Sequence, residues 1–288
     1  MVKKFGELCI ELRRQLFATE PELALPVARE LVAHAAGKTP EELLRDLDLY
    51  APARTEELAR EYMAQYLAGK PLAYILGEWS FYGLPMMVTP AVLIPRDDTA
   101  AVTDLVLEAL RDMEKPRVLD LCTGSGCIGV TVAKLVPEAR VTLADLSEDA
   151  LAVARENAAR NGVTRRVSAV RADALQPAPV YLANYDLIVS NPPYITGEEM
   201  SELDPSVRDY EPRMALYGGE DGLEFYRGIC RYYRHTLRDG GFLCFEFGMG
   251  QHDAVGKILT ENGFGELRYR KDASNIIRAV IAQKTERN

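Results

Sequence analysis

The sequence predicts an α/β protein: a mostly parallel sheet with helices on both faces, preceded by a small helical domain. Three observations predict it. Residues 1 to about 70 carry apolar side chains at helical spacing. From about residue 96 onward, short β-branched runs alternate with helical stretches. Glycines, carboxylates and an amide fall at the ends of those runs, where sheets of this kind collect their ligands.

In the helical region Leu8, Leu12 and Leu16, then Leu43 and Leu47, then Leu58, Tyr62 and Tyr66 share faces. Thr39-Pro40-Glu41-Glu42 supplies an N-cap followed by proline at the first helical position, where a missing N–H leaves nothing unpaired. Ala68-Gly69-Lys70-Pro71 stops the last helix, so the domain is expected to span residues 1–72. From Tyr74 to Pro95 the character changes. Aromatic and β-branched residues around glycine and proline, in Trp79-Ser-Phe-Tyr-Gly-Leu-Pro85 and Met87-Val-Thr-Pro90, predict a β-hairpin linker over 73–95.

The sheet domain is expected over 96–288. Arg117-Val-Leu-Asp-Leu-Cys-Thr123 reads as its first strand, and a glycine turn leads from it into an apolar helix beginning at Ile128. Arg140 to Asp145 is the second strand. Ser147 caps the next helix, whose first turn holds Glu148 and Asp149, acids suited to the positive end of a helix dipole. Val167 to Arg171, Asp186 to Ser190 and Gly241 to Phe247 follow as strands, with Glu266 to Arg270 and Ile276 to Ala282 as a closing pair.

Composition narrows the class. The 288 residues are 48% hydrophobic and 27% charged, ordinary for a soluble globular protein able to bury a sizeable core. No apolar run approaches the ~20 residues that span a bilayer, and charges interrupt the N-terminus throughout, so no signal peptide, no membrane association and a cytoplasmic location are expected. The five cysteines, Cys9, Cys122, Cys127, Cys230 and Cys244, are spread widely through apolar stretches and read as reduced, buried thiols. A net charge of -9 argues against a duplex nucleic-acid partner and favours a protein substrate. Lys3-Lys4 and Arg13-Arg14 are dispersed pairs on a solvated helix face.

Asn191-Pro192-Pro193-Tyr194, directly after the run Asp186-Leu-Ile-Val-Ser190, carries the most chemistry. An amide or exocyclic amine is a poor nucleophile because its lone pair is delocalised. A site that alkylates it must hold both N–H bonds with acceptors and aim the nitrogen. The Asn191 side-chain oxygen and the Pro192 main-chain carbonyl supply two acceptors, and proline brings no competing N–H. Tyr194 is expected to pack its face over the substrate group. This is catalysis by orientation and electrostatics, with no strong base.

The glycine turn admits two readings. Gly124-Ser125-Gly126-Cys-Ile-Gly129 satisfies G-x-G-x-x-G after a strand, and Asp145 stands about twenty residues on, which is also the dinucleotide fingerprint. Either way the glycines let the backbone approach a ligand, and the Asp145 carboxylate can accept from both hydroxyls of a ribose. Asp120 opens the loop and Asp173 follows the third strand, where an adenine amine can be bound. A dehydrogenase has no use for the Asn-Pro-Pro-Tyr segment, and no Gly-Lys-Ser/Thr of a P-loop follows the glycines.

Leu93-Ile-Pro-Arg-Asp-Asp-Thr99, Asp120-Leu-Cys-Thr-Gly-Ser-Gly126, Asn191-Pro-Pro-Tyr-Ile195 and Glu211-Pro-Arg-Met-Ala-Leu-Tyr-Gly-Gly-Glu-Asp-Gly222 occur in that order. In them the chain resembles, over essentially its whole length, the HemK/PrmC family of N5-glutamine methyltransferases. The resemblance implies a class I S-adenosylmethionine-dependent methyltransferase, Rossmann-like with a mostly parallel seven-stranded sheet and a small N-terminal helical domain. It implies S-adenosyl-L-methionine as methyl donor and, as acceptor, the glutamine of the Gly-Gly-Gln loop of class I peptide chain release factors; a monomer is the default expectation. With it, the expected catalytic residues are Asn191, Pro192, Pro193 and Tyr194. The expected cofactor-binding residues are Asp120, Cys122, Thr123, Gly124, Ser125, Gly126, Asp145, Leu146, Asp173, Ala174 and Asn191. A glutamine methyltransferase acting on a ribosomal protein, or a nucleic-acid adenine N6-methyltransferase, uses the same core segment; a nicotinamide-dependent oxidoreductase accounts for the glycine turn alone.

Two departures stand out. The family usually has proline at position 97 and glutamate at position 100, where this chain has Asp97 and Ala100. Near the C-terminus it often has Asp-x-x-Gly-x-x-Arg, where this chain has Asp272-Ala-Ser-Asn275-Ile-Ile-Arg278; asparagine tolerates positive φ, so the turn is expected to survive. None of His34, His235 and His252 adjoins a motif, which argues against a histidine base. Glu246, between Phe245 and Phe247, is expected to be structural. Glu211 and Arg213 are expected to bridge the loop after the Asn-Pro-Pro-Tyr segment.

Overall fold

The computed structural model describes residues 3–285. The chain divides into two compact units: one runs up to Gly77 and includes Pro205–Tyr210, and the other takes Glu78–Asp204 and the residues from Glu211 on.

The smaller unit is built from α1 (Phe5–Leu16), α2 (Ala24–Ala36), α3 (Pro40–Arg45), α4 (Ala53–Leu67) and α5 (Leu72–Leu76). Leu8, Leu12 and Leu16 face inward from α1 and meet Leu31 of α2 and Met63 of α4 in one fully buried cluster. Thr39 caps α3 as a capping box, its hydroxyl accepting from the Glu42 N–H while the Glu42 carboxylate accepts from the Thr39 N–H. A later segment, whose Pro205–Arg208 forms a single helical turn, joins this unit, and the Tyr210 hydroxyl donates to the Ala68 carbonyl (3.0 Å).

The larger unit opens with an antiparallel hairpin, β1 (Glu78–Phe81) and β2 (Leu84–Met87). Its strands are shorter than the linker expected over 73–95, since Tyr74 to Leu76 complete α5, whose end at Gly77 is left-handed. The hairpin also groups with the sheet. Asn157, fully buried, explains why: its amide spans both strand and glycine loop, accepting from the Met87 N–H (2.6 Å) and donating to the Met87 carbonyl (3.0 Å) and the Ser125 carbonyl (2.8 Å).

After α6 (Ala100–Leu110) come β3 (Arg117–Leu121), α7 (Cys127–Leu135), β4 (Arg140–Asp145), α8 (Glu148–Arg160), β5 (Val167–Arg171) and β6 (Tyr185–Ser190). The short turns α9 (Glu199–Glu202) and α10 (Pro205–Arg208) lead to α11 (Glu224–Tyr233), β7 (Leu237–Glu246), α12 (His252–Glu261), β8 (Phe264–Lys271) and β9 (Ile277–Lys284). The sheet order is β5-β4-β3-β6-β7-β9-β8, parallel except for β9, which runs antiparallel to both of its neighbours. From β3 the chain first builds outward through β4 and β5 and then crosses to lay β6 on the other side. The gap between the ends of β3 and β6 is therefore the switch point at which such sheets bind ligands. Strand β7 begins four residues before the expected Gly241, because a bulge against Tyr185 and Leu187 absorbs its glycine pair.

Two apolar layers cover the sheet, one holding Val118, Val141 and Leu187 and the other Leu119, Ile188 and Phe245. Alternate residues of one strand thus serve opposite layers, as a sheet buried on both faces requires. Gly129 lets α7 close on this sheet: a Cβ there would stand 2.3 Å from Leu143 Cδ2 and 2.9 Å from Asp120 Oδ2. Gly129→Ala is expected to destabilise the protein by about 1–3 kcal/mol through overpacking. An unchanged midpoint in urea denaturation would show that the helix can move away at no cost.

Candidate active site

A cavity of about 580 Å³ opens over the carboxyl ends of β3, β4, β5 and β6. Each strand contributes residues at or just past its carboxyl end: Cys122 to Ser125 after β3, Asp145, the last residue of β4, with Leu146 and Ser147, Ala172 to Leu175 after β5, and Asn191 and Pro193 after β6. Leu93, Pro95, Arg96 and Thr99 close one side, and Arg213 to Ala215, Tyr217, Glu224 and Phe225 another. None of the three histidines lines it.

Most of the expected cofactor residues meet here. Asp145 accepts from the Gly124 N–H (2.9 Å) through Oδ2 and from the Ser147 N–H (3.0 Å) through Oδ1, tying the glycine loop to the start of α8. Burial raises its carboxyl above the usual range, and these two N–H groups oppose the shift. Asp173 turns the chain after β5 by accepting from the Leu175 N–H (2.8 Å), and its own carbonyl accepts from the Tyr233 hydroxyl (2.8 Å). Cys122 takes a left-handed backbone (φ 58), which bends the loop away from the strand, and burial pushes its thiol upward.

Asp120 and Gly126 do not line the cavity, contrary to expectation. Asp120 is 1% exposed and lies beneath the loop. There one oxygen accepts from the Thr123 hydroxyl (2.6 Å) and the Gly129 N–H (2.9 Å), while Oδ1 has no partner among the described residues. Burial pushes its carboxyl up to about 7. It shapes the loop from below. Gly126 turns the chain into α7 at φ 79, hard against Ala154, and is covered by it.

The Asn-Pro-Pro-Tyr segment is divided in the same way. Asn191 and Pro193 reach the cavity; Pro192 is buried, and Tyr194 turns inward. The Tyr194 ring packs on the inner layer beside Gly248, so it does not lie over the cavity as expected. Its main chain is fixed there: the Tyr194 carbonyl accepts from Gln251 Nε2 (3.1 Å), and the flanking Ile195 exchanges hydrogen bonds with Leu216 and Gly218 (2.9 Å each). Gly218 is needed for that approach, since a Cβ would meet the Pro193 carbonyl oxygen at 2.5 Å. The glycines of the Glu211 to Gly222 stretch thereby find their reason: they let it lie directly on the loop after β6.

Glu211 does not pair with Arg213. It is buried, accepts from the Ile94 N–H (3.2 Å) and forms an ion pair with Arg96, while the Arg213 guanidinium stacks on the Tyr217 ring (5.2 Å). Arg96 thus stands at the cavity wall, anchored by a carboxylate 115 residues away. No local pattern signals such a pair. The glycine replaced by Asn275 keeps its turn, at φ 65, as expected from the tolerance of asparagine. No helix among the described residues is long and apolar enough to cross a membrane.

Comparisons with known proteins agree with this geometry. Residues 90–204 match the Methyltransferase small domain family, and residues 7–77 match the PrmC N-terminal domain family. A release factor glutamine methyltransferase of Chlorobaculum tepidum is 38% identical over 268 residues, 91% of this chain and 90% of that protein. The corresponding protein of Geobacter sulfurreducens is 43% identical over 232 residues, 80% of this chain and 79% of its own length. That of Fusobacterium nucleatum is 41% identical over 215 residues, 75% of this chain, which spans 60% of the longer relative. Among solved structures, the catalytic domain of hMettl16 in complex with MAT2A 3'UTR hairpin 6 superposes with a TM-score of 0.57 at 15% identity, covering 72% of this chain and 77% of that one. A methyltransferase from Pyrococcus furiosus superposes with a TM-score of 0.51 at 18% identity, covering 78% and 99%. At these identities the two structures share the fold.

Proposed function

The chain belongs to the release factor glutamine methyltransferase family, and we propose that it transfers a methyl group from S-adenosylmethionine to the side-chain N5 of the glutamine in the Gly-Gly-Gln loop of class I release factors. The observation that carries the reading is Asn191 at the end of β6, reaching into a cavity whose other wall is the glycine loop and Asp145.

The residues fit the donor. The cavity has room for a nucleoside, the Asp145 carboxylate that lines it can accept from ribose hydroxyls, and Ile128, Leu146 and Ala150 offer apolar walls to a base. In this reading Cys122, Thr123, Gly124, Ser125, Asp145, Leu146, Asp173 and Ala174 hold it. Bound S-adenosylmethionine supplies an electrophilic methyl group on a positively charged sulfur. The protein's task is alignment. The Asn191 oxygen, which reaches the cavity, accepts one N–H of the glutamine amide, and the carbonyl of the buried Pro192 next to it is the expected acceptor for the other; together they turn the amide lone pair toward the donor side and stabilise the positive charge that grows on nitrogen. The new N–C bond forms at the expense of the methyl–sulfur bond, whose electron pair stays on sulfur and cancels its charge, and one of the amide protons departs to water. Tyr194, packed against the core layer beside Gly248, keeps the loop rigid.

The net charge of -9 supports a protein partner over nucleic acid, with a monomer acting in the cytoplasm and the helical unit selecting the release factor. Transfer of labelled methyl from S-adenosylmethionine to an intact class I release factor, with the site located by fragmentation mass spectrometry, tests the whole reading. Label on the Gly-Gly-Gln glutamine is expected. Label found only on a ribosomal protein or on nucleic acid would replace the substrate, and no labelling of any of these would overturn the reading.

A further inference from the structure

Glu246 closes β7 directly beside Asn191. The register pairs Phe245 with Ser190, so the next residue of each strand lies side by side at the carboxyl edge of the sheet. Glu246 is 2% exposed, and its Oε2 has no partner among the described residues. Thr99 and Asn191 stand beside its carboxylate and favour its charged form against the effect of burial. Asn191 Nδ2 in turn donates to Thr99 Oγ1 (3.4 Å). A buried carboxylate with a free oxygen is costly to keep, since burying an unpaired charge opposes folding. The reaction scheme so far gives it no task.

An asparagine amide is nearly symmetrical in shape, and only its hydrogen-bond partners decide which end points where. Methyl transfer to an amide nitrogen needs the oxygen of Asn191 toward the substrate, because a substrate N–H has nothing to give to an NH2 group. We propose that Glu246 is a positioning residue: with Thr99 it engages the Nδ2 end of Asn191 and so presents Oδ1 to the cavity. A carboxylate can only accept, so it rejects the flipped amide, whose oxygen would face it. The proposal rests on the function assigned to Asn191 above and extends it to the group that sets its orientation.

Protonation should loosen this control. Burial pushes the Glu246 carboxyl up to about 7, with Asp98 raising it further and Thr99, Arg278 and Asn191 opposing. Arg278 is itself paired with Asp98 (3.2 Å) and Asp272 (2.9 Å); Tyr194, Tyr226 and Cys127 are the other titratable groups facing the site, all with their own values raised by burial. Above about 7 the carboxylate accepts from Asn191. Below it, the acid's O–H can donate to the Asn191 oxygen instead and admit the flipped amide.

Glu246→Gln keeps the volume but can donate as well as accept at every pH. In the full-length enzyme, turnover is expected to fall roughly tenfold, with the affinity for S-adenosylmethionine, the KM for release factor and the thermal midpoint held near wild type. Wild-type turnover is expected to rise with pH through about 7, and the variant's to stay flat there. A second measurement is independent of turnover. The Asn191 side-chain amide resonance, assigned by its loss in Asn191→Ala, is expected to shift with pH near neutrality in the wild type. Wild-type turnover in Glu246→Gln, or an Asn191 resonance indifferent to pH, overturns the positioning role. Absence of glutamine methylation by the wild type strikes the functional reading instead and leaves the resonance test standing.

Discussion

Asn191→Ala is expected to lower methyl transfer to the release-factor glutamine at least ~100-fold, the scale found when one preorganised polar group is removed from a reacting centre. Two arguments support so large an effect. The substrate amide has a delocalised lone pair, and only a tight hold on its N–H bonds turns that pair toward the donor. The site also offers no histidine base in compensation, since none of the three lines the cavity. The loss should fall on turnover, because Asn191 adjoins the acceptor side while Asp145, Asp173 and the glycine loop surround the rest of the cavity. Dissociation constants for S-adenosylmethionine, read by calorimetry beside single-turnover rates, should separate the two; wild-type-like turnover would remove Asn191 from the chemistry.

Asp145→Ala is expected to act on the other half. A charge-assisted hydrogen bond contributes about 1.5–3 kcal/mol, so losing the carboxylate opposite a ribose predicts weakening of the donor by roughly 10- to 100-fold or more. A second effect adds to it. Asp145 also holds the Gly124 and Ser147 N–H groups, and without it both are left unpaired at a cavity wall that is otherwise mostly apolar. Asp145→Asn separates the contributions, since its amide oxygen can keep one of the two N–H partners while its NH2 end cannot accept. Unchanged affinity in Asp145→Ala would mean that the glycine loop binds the donor without this residue.

The division between the two predictions reflects the topology. Residues after β3, β4 and β5 lie on one side of the switch point and those after β6 on the other, so in the proposed reading the donor and acceptor groups fall on different strand ends.

The sequence by itself determined the order and kind of most elements and which motifs stand at the strand ends. Short β-branched apolar runs and capping residues marked β3 to β6 and α8, and Asn191 could be placed at a strand end because Asp186 to Ser190 is unbroken and Pro192 stops it. Such signals are local, arising within a few residues of the chain. Only the tertiary structure decided which of the marked residues face the cavity. Asp120 is buried under the glycine loop, holding Thr123 and Gly129, and Tyr194 packs against a core layer beside Gly248. Tertiary structure alone also joined Glu211 to Arg96 and Glu246 to Asn191. Each pair comes from segments far apart in the chain, and the register of β7 against β6 puts the second pair side by side. A carboxylate's neighbours across a sheet depend on strand order and register, which long-range packing fixes and periodicity along one strand cannot report.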